Sequence, residues 1–149
     1  MGSTDDAISL ARENIDAFSR GDKEHFKAQL TSDSVYKEYG TGREEHGAEA
    51  ITATTWTWRD AFPDARGEIV NAFGSGDQVT LQIIWTGTQK GNLVGPAGTI
   101  PATGKQVKVP ACQVVRVRDG KIISTDHYFD SMTMLVQLGV APAPAASMT

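Results

Sequence analysis

Residues 85–139 read WTGTQKGNLVGPAGTIPATGKQVKVPACQVVRVRDGKIISTDHYFDSMTMLVQLG, and this stretch decides the fold. It contains two runs of alternating side chains, joined by the turn signal Asp119-Gly120. Because successive side chains of a strand point to opposite faces, each run predicts a strand with one largely apolar face. These faces carry Val107, Val109, Ala111, Gln113, Val115 and Val117 on the first strand, and Ile123, Thr125, His127 and Phe129 on the second.

A strongly polar side chain stands in the middle of each apolar face. Gln113 lies among valines, and His127 lies between Thr125 and Phe129. Burying an amide or an imidazole costs free energy unless the group finds a hydrogen-bond partner. The two residues therefore predict an internal hydrophobic pocket rather than a plain core.

Length, charge and cysteine content narrow the class of protein. The chain has 149 residues, a formal net charge of −4 and one cysteine. This length suits one domain. A negative charge without a Lys/Arg cluster argues against nucleic acid or an anionic membrane as a partner. The chain has no long apolar run and no signal-peptide pattern. Its single cysteine, Cys112, cannot form an internal disulfide. We therefore expect a cytoplasmic protein.

Metal and cofactor motifs are missing from the sequence. The three histidines, His25, His46 and His127, lie far apart, and no CxxC or HxxxH pair exists. No glycine-rich phosphate-binding motif follows a predicted strand. We therefore predict that the protein uses no metal and no cofactor.

The rest of the sequence predicts that helices come first along the chain and strands follow. Apolar spacing of three and four residues predicts a helix that ends at Gly21, a short helix over about 22–30 and a third over 47–62. Period-two alternation predicts strands over 34–39, 66–73 and 78–88, with GTGRE (40–44) as a turn and 91–104 as a connection. A short helix over 130–138 ends the domain, which spans 1–139, and the Pro/Ala-rich segment 140–149 is predicted to be a disordered tail.

This order predicts an α+β fold. A curved antiparallel sheet wraps around the N-terminal helices, and the hydrophobic pocket lies between them. The opposite face of the strands carries Ile84, Val114 and Tyr128 among polar groups. Exposed apolar area of this kind predicts a homodimer interface.

Three segments of the C-terminal third carry a family resemblance. WTGTQKGNLVGPAGTIPATGKQV, VVRVRDGKI and HYFDSMTMLVQLG resemble the SnoaL-like polyketide cyclases of the nuclear transport factor two-like superfamily. GTGREEHGAEAI and Phe62-Pro63-Asp64 give weaker support. The superfamily also includes ketosteroid isomerase, scytalone dehydratase and limonene epoxide hydrolase. The resemblance implies a cone-shaped fold and a hydrophobic, carbonyl-bearing, polyketide-like ligand, while the reaction depends on the pocket.

The resemblance also implies two places for acid–base groups. SnoaL-like cyclases close a ring by aldol chemistry, with a carboxylate on a late strand and a histidine opposite it on the preceding strand. By strand register these places fall on His127 and Gln113 here. The chain therefore has a histidine in place of the carboxylate and a glutamine in place of the histidine. Glutamine can orient a carbonyl oxygen but does not transfer protons at neutral pH.

Three residues at this end of the sheet are candidate catalytic groups. His127 suits a general base, with activity that rises with pH near neutrality, or it is a core histidine bonded to a backbone carbonyl or Asp126. Gln113 stabilises an enolate oxygen, or it pairs with Thr125 or His127. Asp130 orients the imidazole or acts as an acid, or it caps the following helix.

Two asparagines and a tyrosine–glutamate pair could add polar groups to the pocket. Asn14 interrupts the apolar stripe of the first helix, and Asn71 lies in register with the apolar face of its strand; either could instead lie at an edge. Tyr36 and Glu38 share a face of the first strand. Glu38 is a candidate second base, with solvent exposure as the alternative.

Aromatic residues supply surface for a flat conjugated ligand. Trp56, Trp85 and Phe129 are the predicted substrate contacts, and ordinary core packing is the alternative for each. Arg116 and Arg118 point to the other face, which argues against the Asp–Arg–Asp chemistry of limonene-type epoxide hydrolysis.

Two classes of function remain open. One is a cofactor-independent enzyme that removes a proton next to a carbonyl, leading to cyclisation or isomerisation. The other is a non-catalytic binding or accessory protein of a biosynthetic pathway. The enzyme is the interpretation we prefer, and the missing carboxylate–histidine pair supports the second class as its alternative.

Overall fold

The structure is a computed structural model and describes residues 3–142. Its four helices are α1 (Ser3–Ser19), α2 (Lys23–Ala28), α3 (Ala48–Ala61) and α4 (Ser131–Gln137). Its strands are β1 (Leu30–Glu38), β2 (Arg43–His46), β3 (Arg66–Ser75), β4 (Gln78–Thr88), β5 (Leu93–Gly95), β6 (Gly98–Ile100), β7 (Gln106–Arg118) and β8 (Lys121–Phe129). The predicted α+β class is confirmed.

Six strands form one sheet in the order β2-β1-β8-β7-β4-β3. Its neighbours are antiparallel except β1 and β8, which pair in parallel, with Glu38 opposite His127. The predicted antiparallel sheet is therefore present, with one parallel pair that the sequence analysis did not predict. Alternation within a strand reveals its buried face, but it says nothing about the direction of a partner about 90 residues away.

The structure contains three short strands that the sequence analysis treated as turn or connection. Strand β2 begins at Arg43, inside the predicted turn, and pairs with β1. Strands β5 and β6 form a separate hairpin within 91–104. Runs of three or four residues are too short for period-two alternation to identify.

Two bulges shift which residues face inward. On β3 the register shifts between Ile69 and Asn71, so that Asn71 lies opposite Gln82 and Ala72 lies opposite the buried Leu81. The prediction that Asn71 faces inward is wrong, because the extra residue at the bulge inverts the alternation beyond it. A second shift, where β7 meets β8, places Ile122 rather than Ile123 in the core.

The helices pack on the concave face of the sheet. On α1, Ala7, Ala11, Ile15 and Phe18 are buried at helical spacing, and the helix lies against β3 and β4. The Arg59 guanidinium of α3 donates to the carbonyl oxygens of Phe18 and Ala65, at 2.9 and 3.0 Å, and so joins α3 to the end of α1.

The C-terminal end of the described chain contributes to the core. Helix α4 buries Met134, and Leu138 directly after it is 1% exposed. Of the predicted tail, residues 143–149 lie outside the described residues. No helix within 3–142 combines the length and apolar character needed to cross a bilayer.

Candidate active site

A cavity lies between the helices and the concave face of the sheet. The space open to the centre of a water molecule is about 110 Å³, enough for several waters. Its wall is mainly aromatic and aliphatic, from α1, α3, α4 and the central strands. Polar side chains at the wall include Asn14, Tyr36, Gln113, Thr125 and His127.

His127 is held at the wall by hydrogen bonds at both ring nitrogens. The Trp85 indole Nε1 donates to His127 Nε2 at 3.1 Å, and the Tyr36 hydroxyl lies 2.9 Å from Nδ1. The ring is 8% exposed. Burial lowers the pKa of His127 to about 4, although the negative charge of Glu38 opposes the shift. The imidazole is therefore neutral at neutral pH, and its titration lies well below the neutral range expected from the sequence.

Glu38 is a buried carboxylate with four donors. Tyr36 Oη and Trp58 Nε1 donate to Oε2 at 2.7 and 2.9 Å, while Thr41 Oγ1 and Arg43 Nε donate to Oε1 at 2.6 and 3.1 Å. Burial by itself raises the pKa of Glu38, but these hydrogen bonds and the charge of Arg43 outweigh it and lower the pKa below its usual value. The carboxylate is ionised at neutral pH.

Glu38 matches neither of the two alternatives left open by the sequence, a second base at the cavity or a solvent-facing residue. Its side chain has 0% exposure, so it is not a solvent-facing residue. It is also not among the residues that line the cavity, where Tyr36 stands in front of it. Glu38 therefore reaches the cavity through the Tyr36 hydroxyl.

Gln113 lies directly opposite His127 in the β7–β8 pair, in agreement with the predicted register. Its side chain lines the cavity and is 6% exposed, yet the amide makes no hydrogen bond to any of the described residues. Buried amides are normally paired, so this one is suited to bind an oxygen or donor of a ligand. Asn14 lines the cavity as well, and its Nδ2 donates to Gln29 Oε1 at 2.9 Å.

Two predicted site residues lie away from the cavity. Asp130 caps α4 by accepting the backbone N–H of Thr133 at 3.0 Å, which matches the structural alternative for this residue. Hydrogen bonds from Thr133 lower the pKa of Asp130. Asn71 is exposed, and its Nδ2 donates to Gln82 Oε1 at 3.1 Å. Neither side chain is brought to His127.

Of the three aromatic residues predicted to contact the substrate, two line the cavity and one does not. Trp85 and Phe129 line the cavity and flank His127. Trp56 does not line it and packs edge-on against Phe18 and Phe26.

Trp58 takes the place that the sequence analysis gave to Trp56. The wall residues of α3 are Ile51, Thr55 and Trp58, and Phe62 follows directly after the helix, so the spacings are four, three and four positions. This spacing corresponds to one face of a helix. Applied to the helix predicted over 47–62, it would have identified Trp58 as a residue of that face.

Metal-binding groups are not assembled within the described residues. Between residues 3 and 142 no three His, Cys, Asp or Glu side chains come together in a way that could hold a metal ion. The site that the geometry presents is an imidazole, an amide and a tyrosine hydroxyl in an apolar cavity.

The sequence model described as SnoaL-like polyketide cyclase matches residues 8–138. The chain belongs to the SnoaL-like polyketide cyclase family. The resemblance found in the C-terminal segments is thus confirmed over nearly the whole chain.

Two relatives are cyclases by name. The aklanonic acid methyl ester cyclase DnrD of Streptomyces peucetius is 29% identical over 139 residues, covering 89% of this chain and 90% of the relative. The aklanonic acid methyl ester cyclase DauD of Streptomyces sp. (strain C5) is also 29% identical over 139 residues and is covered to 81% of its length.

Solved structures share the SnoaL-like fold. AclR of Streptomyces galilaeus has a TM-score of 0.82 at 24% identity, with coverage of 97% of this chain and 91% of AclR. IdmH of Streptomyces antibioticus has a TM-score of 0.75 at 25% identity, with coverage of 90% and 99%. A Catenulispora acidiphila protein with a ketosteroid isomerase-like fold has a TM-score of 0.75 at 20% identity, with coverage of 89% and 93%. A cyclase-like role follows from the family, and the cavity residues must specify the reaction.

Proposed function

We propose that this SnoaL-like protein is a cofactor-independent enzyme that removes a proton next to a carbonyl of a hydrophobic, polyketide-like substrate. One observation carries the proposal: a neutral imidazole, His127, and an amide without a hydrogen bond to any residue of 3–142, Gln113, face the same apolar cavity from directly opposed positions. Acid–base chemistry on carbonyl compounds needs a proton acceptor and a donor to the developing oxyanion. Family membership supports the same reaction class.

The two residues divide the chemistry between them. His127 Nε2 takes the proton from the carbon, and the C–H electron pair forms the enolate. The Gln113 amide donates to the enolate oxygen, where negative charge develops. In cyclisation the enolate carbon attacks a second carbonyl carbon of the same molecule, and the resulting alkoxide takes the proton back from the imidazolium. In isomerisation another carbon of the enolate system takes it.

The low pKa of His127 restricts the substrate. A base whose conjugate acid has a pKa of about 4 is weak, so the C–H bond must be unusually acidic. A carbon between two carbonyl groups meets this requirement, and such carbons recur along a polyketide chain. We therefore propose substrates of the β-dicarbonyl type.

The weak basicity and the hydrogen bonding of His127 also fit a second function. A weakly basic imidazole whose Nε2 already accepts from Trp85 also suits a protein that binds such a ligand without turnover. The two functions differ in whether the substrate proton exchanges. Binding alone leaves the ligand C–H bond intact.

The deciding experiment is proton exchange in D₂O. Aklanonic acid methyl ester and simpler β-dicarbonyl polyketide esters are incubated with the protein, and deuterium uptake and ring closure are followed by mass spectrometry. A general base contributes about 10²- to 10⁴-fold, so His127→Ala should slow exchange by that factor, while the exposed His46→Ala should not. Exchange within a few-fold of wild type in His127→Ala would assign the base elsewhere, and no exchange by wild type would favour the binding role.

Gln113 has a separate test. Gln113→Leu keeps a similar volume and removes the donor, so ligand affinity, measured by tryptophan fluorescence, should fall by about 5- to 150-fold, equivalent to about 1–3 kcal/mol. Gln82→Leu, on the exposed side of β4, is the matched control. Unchanged affinity in Gln113→Leu would show that the amide does not contact the ligand.

We also propose that the outer face of the sheet pairs with a second copy of the chain. Tyr39 and Tyr128 stack there with ring centroids 4.5 Å apart, and they are 52% and 45% exposed. Ile84 and Val114 extend this apolar area from the neighbouring strands. A stable interface buries about 1,200 Å² or more. Sedimentation should show a dimer that Tyr128→Glu weakens, and a wild-type monomer at all concentrations would reject the interface.

A further inference from the structure

Four side chains form a continuous row of hydrogen bonds, three of them at the cavity wall and the fourth, Glu38, behind it. Trp85 Nε1 lies 3.1 Å from His127 Nε2, Tyr36 Oη lies 2.9 Å from His127 Nδ1, and Tyr36 Oη lies 2.7 Å from Glu38 Oε2. Hydrogen positions are not needed to assign the direction of these bonds, because the chemistry of the two end groups determines it.

The indole end determines which imidazole nitrogen carries the proton. An indole N–H is a donor only, so Nε2 of His127 must accept. In a neutral imidazole one nitrogen accepts and the other donates. Nδ1 therefore carries the hydrogen and donates to the Tyr36 oxygen.

The carboxylate end imposes the same direction independently. An ionised carboxylate only accepts, so the single hydroxyl proton of Tyr36 points to Glu38. Burial, and after it the negative charge of Glu38, raise the pKa of Tyr36 well above its usual value, which keeps that proton in place. The Tyr36 oxygen is then left to accept from His127 Nδ1.

Glu38 is fixed by groups outside the row. Thr41 and Arg43 hold Oε1, and Trp58 shares Oε2 with Tyr36. The carboxylate is fully buried, so it cannot turn toward solvent and release Tyr36. Such fixation by neighbouring hydrogen bonds is how supporting residues orient a functional imidazole.

We propose that Tyr36 and Glu38 are positioning residues that hold His127 in the Nδ1–H tautomer and so keep Nε2 available as the basic nitrogen at the cavity, with Trp85 occupying Nε2 until a ligand arrives. The catalytic meaning of this arrangement rests on the proposed function. The tautomer itself is a property of the ligand-free protein.

The arrangement has a chemical consequence at Trp85. The single lone pair of Nε2 must separate from the indole N–H before it takes a proton, and after protonation Nε2 can no longer accept from the indole. The imidazolium keeps its Nδ1–H bond to Tyr36, and the Glu38 carboxylate balances its charge. The indole N–H is thereby released beside the newly protonated nitrogen, where it can donate to an oxygen of the ligand.

The experiment measures the tautomer without substrate. The chain has three histidines, so replacing exposed His25 and His46 by Gln leaves His127 as the one imidazole in the spectrum. The ¹⁵N shifts of its two ring nitrogens then report which one carries hydrogen. The readout stays valid if the protein proves to be a binder, so failure of the proposed function and failure of this proposal are distinguishable.

Replacing Trp85 tests whether Tyr36 and Glu38 impose the tautomer without the indole donor. Trp85→Phe should leave a single Nδ1–H tautomer, because Tyr36 and Glu38 still impose it. Trp85→Phe combined with Tyr36→Phe should lose that single tautomer, whereas combination with Tyr39→Phe, which removes an exposed hydroxyl, should retain it. Loss of the tautomer in Trp85→Phe alone, or its survival in Trp85→Phe/Tyr36→Phe, would overturn the proposal.

A second variant covers the case in which the double mutant does not fold. Glu38→Gln removes the negative charge that raises the pKa of His127, so that pKa should fall below the wild-type value of about 4. An unchanged His127 titration in folded Glu38→Gln would contradict the role given to Glu38.

Discussion

Burial of His127 should make the protein lose stability in mild acid. The pKa of the buried imidazole is about 4, whereas an unperturbed histidine has a pKa of 6.5. Between these values the unfolded chain binds the proton and the folded chain does not. The free energy of unfolding therefore rises with pH across this window and falls on acidification.

The magnitude follows from the size of the shift. One pKa unit corresponds to about 1.4 kcal/mol, so the full change from 6.5 to about 4 is worth about 3 kcal/mol. Between pH 7 and pH 5 the loss should be about 2 kcal/mol, because most of the window lies there. Glu38, with its lowered pKa, adds destabilisation of the same sign only near and below its ordinary value of 4.5.

Urea unfolding at pH 7 and pH 5 measures the effect. His127→Gln removes the titrating group and keeps a polar side chain, so its free energy of unfolding should lack this loss of about 2 kcal/mol. His46→Gln, whose side chain is 65% exposed in the native protein, is the matched control and should retain it. If wild type and His127→Gln lose the same stability between the two pH values, the imidazole is not buried in its neutral form.

Three further outcomes follow from the geometry of the site. A Cβ at Gly40 would lie 2.2 Å from Cζ of Phe129, so Gly40→Ala should cost about 1–3 kcal/mol in thermal unfolding, whereas Gly95→Ala, with no neighbouring atom nearer than 3.9 Å, should cost less than about 1 kcal/mol. Trp58→Phe removes a donor to Glu38, so the pKa of that carboxyl should rise and the acid-unfolding midpoint should move to higher pH. The exchange activity of wild type should increase through about pH 4 and stay level from pH 6 to 8; a rise centred near neutrality would contradict the assigned base.

The sequence predicted that both residues of the opposed pair face inward because that information is local. Alternation within each strand gives the inward face of Gln113 and His127, whereas counting outward from Asp119-Gly120 would place Gln113 opposite Asp126, and the bulge at Ile123 moves it opposite His127. The α+β class followed from the order of the elements in the same way.

The supporting residues of the site were harder to predict because they depend on non-local pairing. Tyr36 and Glu38 meet His127 only through the parallel β1–β8 pair, which joins segments about 90 residues apart. Arg43 reaches Glu38 because β2 is a strand rather than part of a turn. No spacing in the sequence expresses these contacts, and Glu38 therefore looked as compatible with solvent as with burial.

The bulge on β3 adds one residue to the strand, and this extra residue shifts the alternation of the side chains that follow it. Val70, which is 57% exposed, is the extra residue without a partner in β4, so deleting it would remove the bulge and still leave Asn71 opposite Gln82 and Ala72 opposite Leu81. An in-frame loss of that one codon should therefore leave the residues on the concave face unchanged. The bulge is thus a place where the strand can change its length by one residue while the side chains on its concave face stay the same.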